Sequence, residues 1–365
     1  MSDSLGARWD AANGRPVGFD ILRVFLSVAV ILFHTALVCY GKGAEEVLWG
    51  WPYRQFSYFI VPSFFALSGF LVAGSLERND LLSFLALRII RIFPALVVEV
   101  VVSALLIGAL FTVLPLRQYA HDPVFFKYFL NMLGDIQFNL PGVFLDLPGG
   151  RFVNRQLWTV PFELKCYILL TLAAMVGLAR RPMLFLALAL GGYGWAAFRH
   201  YTYYTSLANE STPSGELLIL SFLLGVILYL MRQKISVSVP YFVASVILCS
   251  VLCYLPVSEF LLAIPVAYMT VFLGVLNFRV PYVSALGNYS YGLYLYGFPV
   301  QQAVSALLPD YRVWWIHFPI SLALSMLLAA LSWHLVEAKV MKQKKTIIGF
   351  MTGAGRLLRA QVRRA

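Results

Sequence analysis

Apolar stretches of about 20 residues recur along the chain. No other feature limits the fold as strongly, because that is the length a helix needs to cross the hydrocarbon of a bilayer. They lie at about 18–40, 54–76, 92–114, 158–178, 182–198, 214–231, 241–256, 259–277, 287–308 and 313–337. Composition agrees: 60% of the 365 residues are hydrophobic and only 12% are charged, whereas a soluble domain carries about 25% charge. The expectation is an all-α, polytopic integral membrane bundle of about ten transmembrane helices. The first run is longer than a signal-peptide core and has no small-residue cleavage site behind it, so it reads as a retained first helix. Cys39, Cys166, Cys249 and Cys253 lie in or beside apolar runs. They have neither the paired spacing of a zinc site nor the density of a disulfide scaffold, and read as small core residues.

Segment 124–140 is shorter and carries Lys127 and Asp135, so a lipid-exposed crossing there is costly. It is expected to form a re-entrant or interfacial helix. Leaving it uncounted puts both termini in the cytoplasm and most of the 28 Lys and Arg on inner flanks, as the positive-inside rule requires. The chain then divides into a cytoplasmic segment 1–17, a transmembrane domain 18–338 and a basic cytoplasmic tail 339–365. The tail holds Lys339, Lys342, Lys344, Lys345, Arg356, Arg359, Arg363 and Arg364 and no acid, so it carries most of the formal net charge of +11. Such a cluster is drawn to anionic membrane lipids, and nucleic acid is not needed to explain the charge.

Ionisable residues inside spans are the informative ones, since each is costly unless it faces the bundle interior, a partner or water. Arg23 and His34 are eleven residues apart, about three helical turns, so both leave one face of the first helix, separated by about 16 Å along its axis. That geometry suits an elongated ligand with an anionic head at the inner surface and a reactive end deep in the membrane. The structural alternative is a snorkelling arginine and a histidine bonded to a neighbouring helix. Arg88 and Arg91 stand one turn apart at the same depth as Arg23, and guanidinium forks suit phosphates. Taken alone, the motif is better explained by the positive-inside rule; its convergence with Arg23 below an interior histidine favours the phosphate reading. In the segment from Gln156 to Tyr167, Glu163 and Tyr167 share a helix face, and Glu163 falls at a depth similar to His34. Lys165 points elsewhere and either snorkels or pairs with an acid such as Glu99. His317 and His334 read as structural hydrogen-bonding residues, His121 and His200 as solvated. No metal-ligand cluster, P-loop or nucleophile elbow is present, and no metal is expected. Outer segment 141–157, with Asp146, Arg151, Asn154 and Arg155, is a candidate acceptor platform.

Five motifs in order resemble the membrane-bound acyltransferase 3 family. They are Asp20-Ile-Leu-Arg23 followed by His34, Phe64-Phe-Ala-Leu-Ser-Gly-Phe-Leu71, Arg88-x-x-Arg91-x-x-Pro94, Leu157-Trp158-Thr159 with Glu163 and Tyr167, and Ser290-Tyr-Gly-Leu-Tyr-Leu295. The likeness covers about residues 18–338. It implies a ten-helix bundle in the bacterial inner membrane that carries acyl groups, usually acetyl from acetyl-CoA, onto sugar hydroxyls of surface polysaccharides or glycolipids. It makes His34 the catalytic base and Glu163 a second essential polar group, with Arg23, Arg88 and Arg91 as donor-binding residues. Trp158 and Tyr167, beside Glu163 in the same segment, are candidate substrate-binding residues. Where many members carry a histidine in span 287–308, this chain has Tyr296-Gly-Phe298-Pro299, which leaves His34 as the lone strong candidate. The competing class is a glycolipid or polysaccharide transporter or flippase, with His34 and Glu163 as proton-relay residues; broken helices and internal repeats would mark it.

Overall fold

The computed structural model describes residues 3–50, 52–203, 213–255, 259–278, 280 and 283–350, and these fold almost wholly into helices. In chain order they are α1 Leu5–Ala11, α2 Gly18–Tyr40, α3 Lys42–Trp49, α4 Arg54–Tyr58, α5 Ile60–Arg78, α6 Leu81–Val102, α7 Gly108–Phe111, α8 Leu116–His121 and α9 Pro123–Tyr128. There follow α10 Val160–Met175, α11 Pro182–Tyr203, α12 Gly215–Leu230, α13 Val239–Leu252, α14 Glu259–Gly274, α15 Val283–Leu307, α16 Trp314–Ser332 and α17 Ala338–Lys342. Among the described residues β-pairing is limited to two isolated bridges, Ser4 with Ser236 and Thr112 with Val143.

Among the described residues, five stretches are long and apolar enough to cross a membrane: Gly18–Tyr40, Phe56–Arg78, Leu81–Phe111, Arg155–Met175 and Trp314–Lys342. Pro182–Trp195, Gly215–Leu230, Val239–Leu252 and Leu261–Gly274 are shorter apolar helices. α15 is 25 residues long but carries several polar side chains. Segment 124–140 is not one helix. Asp122 caps α9 by accepting the Val124 amide at 2.8 Å, and the chain then tightens into a 3-10 turn at Phe129–Leu133. It leaves that turn through Gly134 at φ +83°, a left-handed conformation that favours glycine. Buried Asn131 holds the break by donating to the carbonyls of Tyr128 and Gln137. The expected re-entrant or interfacial helix is thus one short helix and a turn.

Small residues set the helix contacts, as expected where backbones must approach closely in an apolar medium. A Cβ on Gly69 of α5 would lie 2.0 Å from the Phe222 carbonyl oxygen, and one on Gly225 of α12 would lie 2.1 Å from that of Ala66. Polar side chains then lock α15 between α2 and α16. Ser27 donates to the Ser290 carbonyl at 2.9 Å. Gln301 donates to the Ile31 carbonyl and to the Thr35 hydroxyl, both at 2.8 Å. His317 meets the Gln301 carbonyl at 3.0 Å and His334 meets the Tyr289 hydroxyl at 3.0 Å, so both histidines serve packing as expected. All four cysteines are buried and free. His121 is exposed, and the His200 side chain lies outside the described residues.

α6 brings two of the candidate arginines into the bundle, and its start is well defined. Asp80 caps it, accepting the amides of Leu82 and Ser83 at 3.1 Å and the Ser83 hydroxyl at 2.5 Å. The Ser83 hydroxyl is the main reason this carboxyl sits below the usual carboxylate range. The suggested pairing of Lys165 with Glu99 is not made. Lys165 is exposed, its ammonium 4.8 Å from the centre of the Phe162 ring. Glu99 is fully buried, accepting from Ser103 at 2.6 Å and Asn154 at 2.9 Å.

Candidate active site

Helical register converts the spacing of the arginines into one cavity. Arg88 and Arg91 project from adjacent turns of α6, and Arg23 lies one turn into α2. All three line a cavity of about 140 Å³ together with Ser68 of α5, Glu163 and Tyr167 of α10, and Ser290, Tyr291 and Tyr294 of α15. Three guanidiniums face one carboxyl there. Arg23 touches Asp20 at 3.2 Å. Arg88 donates to the Ser75 hydroxyl at 3.2 Å, and its guanidinium carbon lies 5.9 Å from the centre of the Tyr167 ring. Arg91 makes no hydrogen bond or ion pair among the described residues. The Nε of Arg88 and the hydroxyl of Tyr291 are buried without partners. Buried donors without partners are costly unless a ligand takes them up, so this cavity is suited to an anion. Glu163 accepts the Tyr167 hydroxyl at 2.6 Å, and that hydroxyl lies 3.4 Å from Ser68.

His34 lines a separate cavity of about 60 Å³ with Glu45, Trp49, Arg155 and Trp158. Its ring meets Phe298 edge-on, the centroids 5.2 Å apart, and its Nδ1 is buried without a hydrogen-bond partner among the described residues. Phe298 belongs to the Tyr296-Gly-Phe298-Pro299 stretch in which the chain departs from the resemblance, so that departure falls against His34 itself. Arg155 grips Glu45 with one nitrogen at 2.7 and 2.8 Å from the two carboxylate oxygens. The pair is mostly buried, with side-chain exposures of 24% and 10%, and it pins α3 over the cavity. Trp49 and Trp158 add aromatic surface.

Among the described residues the two cavities have only Val61 and Tyr294 in common. Glu163 therefore stands among the arginines and not beside His34. Tyr167 likewise faces the arginines, whereas Trp158 faces His34. Of the candidate acceptor platform, Asp146 and Arg151 are exposed, Arg155 is tied to Glu45, and Asn154 is buried, donating to Glu99 and to the Leu295 carbonyl.

Ser68, Ser290, Tyr291 and Tyr294 fall within the motifs quoted from the sequence but have no part in the site expected there, and neither Glu45 nor Trp49 is a site candidate on sequence grounds. A signal existed for some of them. Ser290 and Tyr294 are polar residues at helical spacing within an apolar run, and Ser68 interrupts another. Glu45 had none beyond its place on a short helix after the first span.

Fold and site together define a multi-pass membrane protein with an interior cationic cavity joined to a histidine-bearing one. The chain belongs to the acyltransferase 3 family, whose acyltransferase domain matches residues 17–334. It is 25% identical over 341 residues to an O-acetyl transferase of Shigella phage Sf6, covering 88% of this chain and 95% of that protein. It is 26% identical over 374 residues to nodulation protein 10 of Rhizobium leguminosarum bv. viciae, covering 94% of this chain and 98% of that protein. No solved structure matches.

Proposed function

We propose that the protein moves an acetyl group from cytoplasmic acetyl-CoA to a sugar hydroxyl of an exopolysaccharide, another surface polysaccharide or a glycolipid at the outer side of a bacterial inner membrane. The observation that carries this reading is the adjoining pair of cavities, one cationic and one holding His34. The transmembrane domain, residues 18–338, crosses about ten times, with segment 1–17 and the tail 339–365 in the cytoplasm. Arg23, Arg88 and Arg91 bind the donor phosphates, since guanidinium forks match phosphate oxygens and their charge is little matched by carboxylates within the cavity. The pantetheine arm then runs along the α2 face toward His34, about 16 Å away.

The acceptor reaches His34 from the side of Trp49 and Trp158, whose faces suit a sugar ring. Neutral His34 accepts the hydroxyl proton while the hydroxyl oxygen attacks the thioester carbonyl. As the carbon–sulfur bond breaks, the proton passes to the departing thiolate, leaving an ester and free CoA. Glu163 acts on the donor side. By accepting the Tyr167 hydroxyl it fixes the ring beside Arg88, and its negative charge sets the spacing of the arginines. No metal takes part in this scheme. The name of one relative, an O-acetyl transferase, agrees with transfer of an acetyl group to oxygen. A flippase would need His34 and Glu163 on one proton relay, and their separate cavities weigh against it.

The test incubates membranes holding the wild-type protein or His34→Ala with radiolabelled acetyl-CoA and polysaccharide from a strain lacking the gene. Label in the polysaccharide with wild type and not with correctly inserted His34→Ala supports the assignment. Full transfer by His34→Ala removes His34 as the base, and no label with wild type removes the transferase reading.

A further inference from the structure

Tyr294 stands where the two cavities meet. It lines the arginine cavity and the His34 cavity alike, a place it shares with Val61 alone. Its ring is held on both sides. Phe64 packs edge-on against it, with centroids 5.6 Å apart. Its hydroxyl meets the Thr159 hydroxyl at 2.9 Å and donates to the Gln156 carbonyl at 3.1 Å. The 3-10 turn that carries Gln156 and Thr159 is itself fastened to α15, because the Gln156 side chain accepts the Phe298 amide at 3.0 Å. Phe298 is one turn beyond Tyr294 on the same helix face, and it is the residue packed against His34. One turn of α15 therefore sets both the boundary between the cavities and the packing of the His34 ring.

We propose that Tyr294, with Val61, is the specificity-determining constriction for the acyl group. This rests on the transferase reading above: a thioester whose phosphates lie among the arginines must present its acyl carbon past this boundary to meet a hydroxyl at His34. The anchored ring admits a two-carbon acyl group and excludes longer ones. Its hydroxyl is spent on Thr159 and Gln156, so the ring acts by its shape and position and takes no part in proton transfer. The close packing of Phe64 and the tie to the 3-10 turn leave the ring little freedom to swing aside for a bulkier chain.

The experiment measures kcat/KM for acetyl-CoA, propionyl-CoA and butyryl-CoA in membranes holding the full-length protein, with polysaccharide from a strain lacking the gene as acceptor. Wild type is compared with Tyr294→Ala, Tyr294→Phe and Val61→Ala, each checked for insertion. Each added methylene that a fitted pocket rejects is worth about 10-fold or more in discrimination. Tyr294→Ala is therefore expected to raise the butyryl-to-acetyl ratio by about 10-fold or more, and Val61→Ala to raise it in the same direction by less. Tyr294→Phe keeps the ring and loses only its anchor, so its ratio falls between wild type and Tyr294→Ala. If Tyr294→Ala lowers all three donors by one common factor, with the ratio unchanged, the ring is structural and the proposal fails. If Tyr294→Ala does not insert, Val61→Ala and Tyr294→Phe decide, and ratios equal to wild type in both overturn it. Wild-type membranes that transfer nothing from acetyl-CoA overturn the transferase reading itself, an outcome distinct from an unchanged ratio.

Discussion

The arginine cavity and the His34 cavity adjoin, yet they treat charge in opposite ways. In the first, three guanidiniums face the single carboxyl of Glu163, and among the described residues Arg91 and the Nε of Arg88 have no hydrogen-bond partner of their own. In the second, the only full charges among the described lining residues are Arg155 and Glu45, and they satisfy each other at 2.7 Å. A site that keeps its charges unmatched against the cost of burial is built for a charged ligand. A site that pairs its charges internally beside an imidazole suits an uncharged group. On the function proposed above, the contrast puts the phosphate-bearing donor on one side of Tyr294 and the sugar hydroxyl on the other.

The contrast breaks most visibly at His34. His34→Ala is expected to lower kcat by about 10²–10⁴-fold, the usual contribution of a positioned general base, with the KM for acetyl-CoA unchanged. A large rise in donor KM in that variant would mean that His34 lies on the donor side after all. The converse holds for the arginines. Arg88→Ala and Arg91→Ala should each raise the KM for acetyl-CoA by about 10–100-fold, since a hydrogen bond to a charged group is worth about 1.5–3 kcal/mol. Acceptor KM should stay constant, and unchanged donor affinity would refute their role.

Glu45 sharpens the comparison from the other side. Glu45→Ala leaves Arg155 mostly buried and unpaired, so a loss of about 2 kcal/mol in stability is expected, read from thermal unfolding in detergent. Unaltered unfolding with acceptor KM raised would reassign the pair from structure to acceptor binding. The smallest effect is at the start of the helix that carries the arginines. Asp80→Ala removes the cap of α6 and should cost about 1 kcal/mol at neutral pH. The folded state holds the Asp80 carboxyl below its ordinary value. Its contribution is therefore complete above the usual carboxylate range and is lost as pH falls through the lowered value. The gap between wild type and Asp80→Ala should close in acid, and a gap that persists there would mean that the ionised cap is not what stabilises α6.

Much of this was legible without coordinates. Spans from about 18–40 and 54–76 agree closely with Gly18–Tyr40 and Phe56–Arg78. The convergence of Arg23, Arg88 and Arg91 follows from depth and register alone, because each lies within a few turns of its helix start. The pairing of Glu163 with Tyr167 follows equally, since residues four apart on a helix are neighbours. Segment 124–140 was harder. Its apolar residues look helical, and only the contacts of Asn131 and the left-handed Gly134 show where the helix stops. Asn154, expected near the acceptor, turned out to be spent on Glu99 and on the backbone of α15.

By itself, then, the sequence determined that the chain is a helical membrane protein and which face of α2 carries Arg23 and His34. These are properties of a single helix and of its distance from a membrane surface, which periodicity and hydropathy report directly. Only the tertiary structure decided that Glu163 stands with the arginines and not with His34, that Arg155 closes on Glu45, and that Tyr294 divides the two cavities. Those facts depend on how each helix is rotated about its own axis and which helices lie beside it. Contacts such as Gly69 against Phe222 and Gln301 against Thr35 settle that, and they join residues far apart in the chain that no local pattern connects.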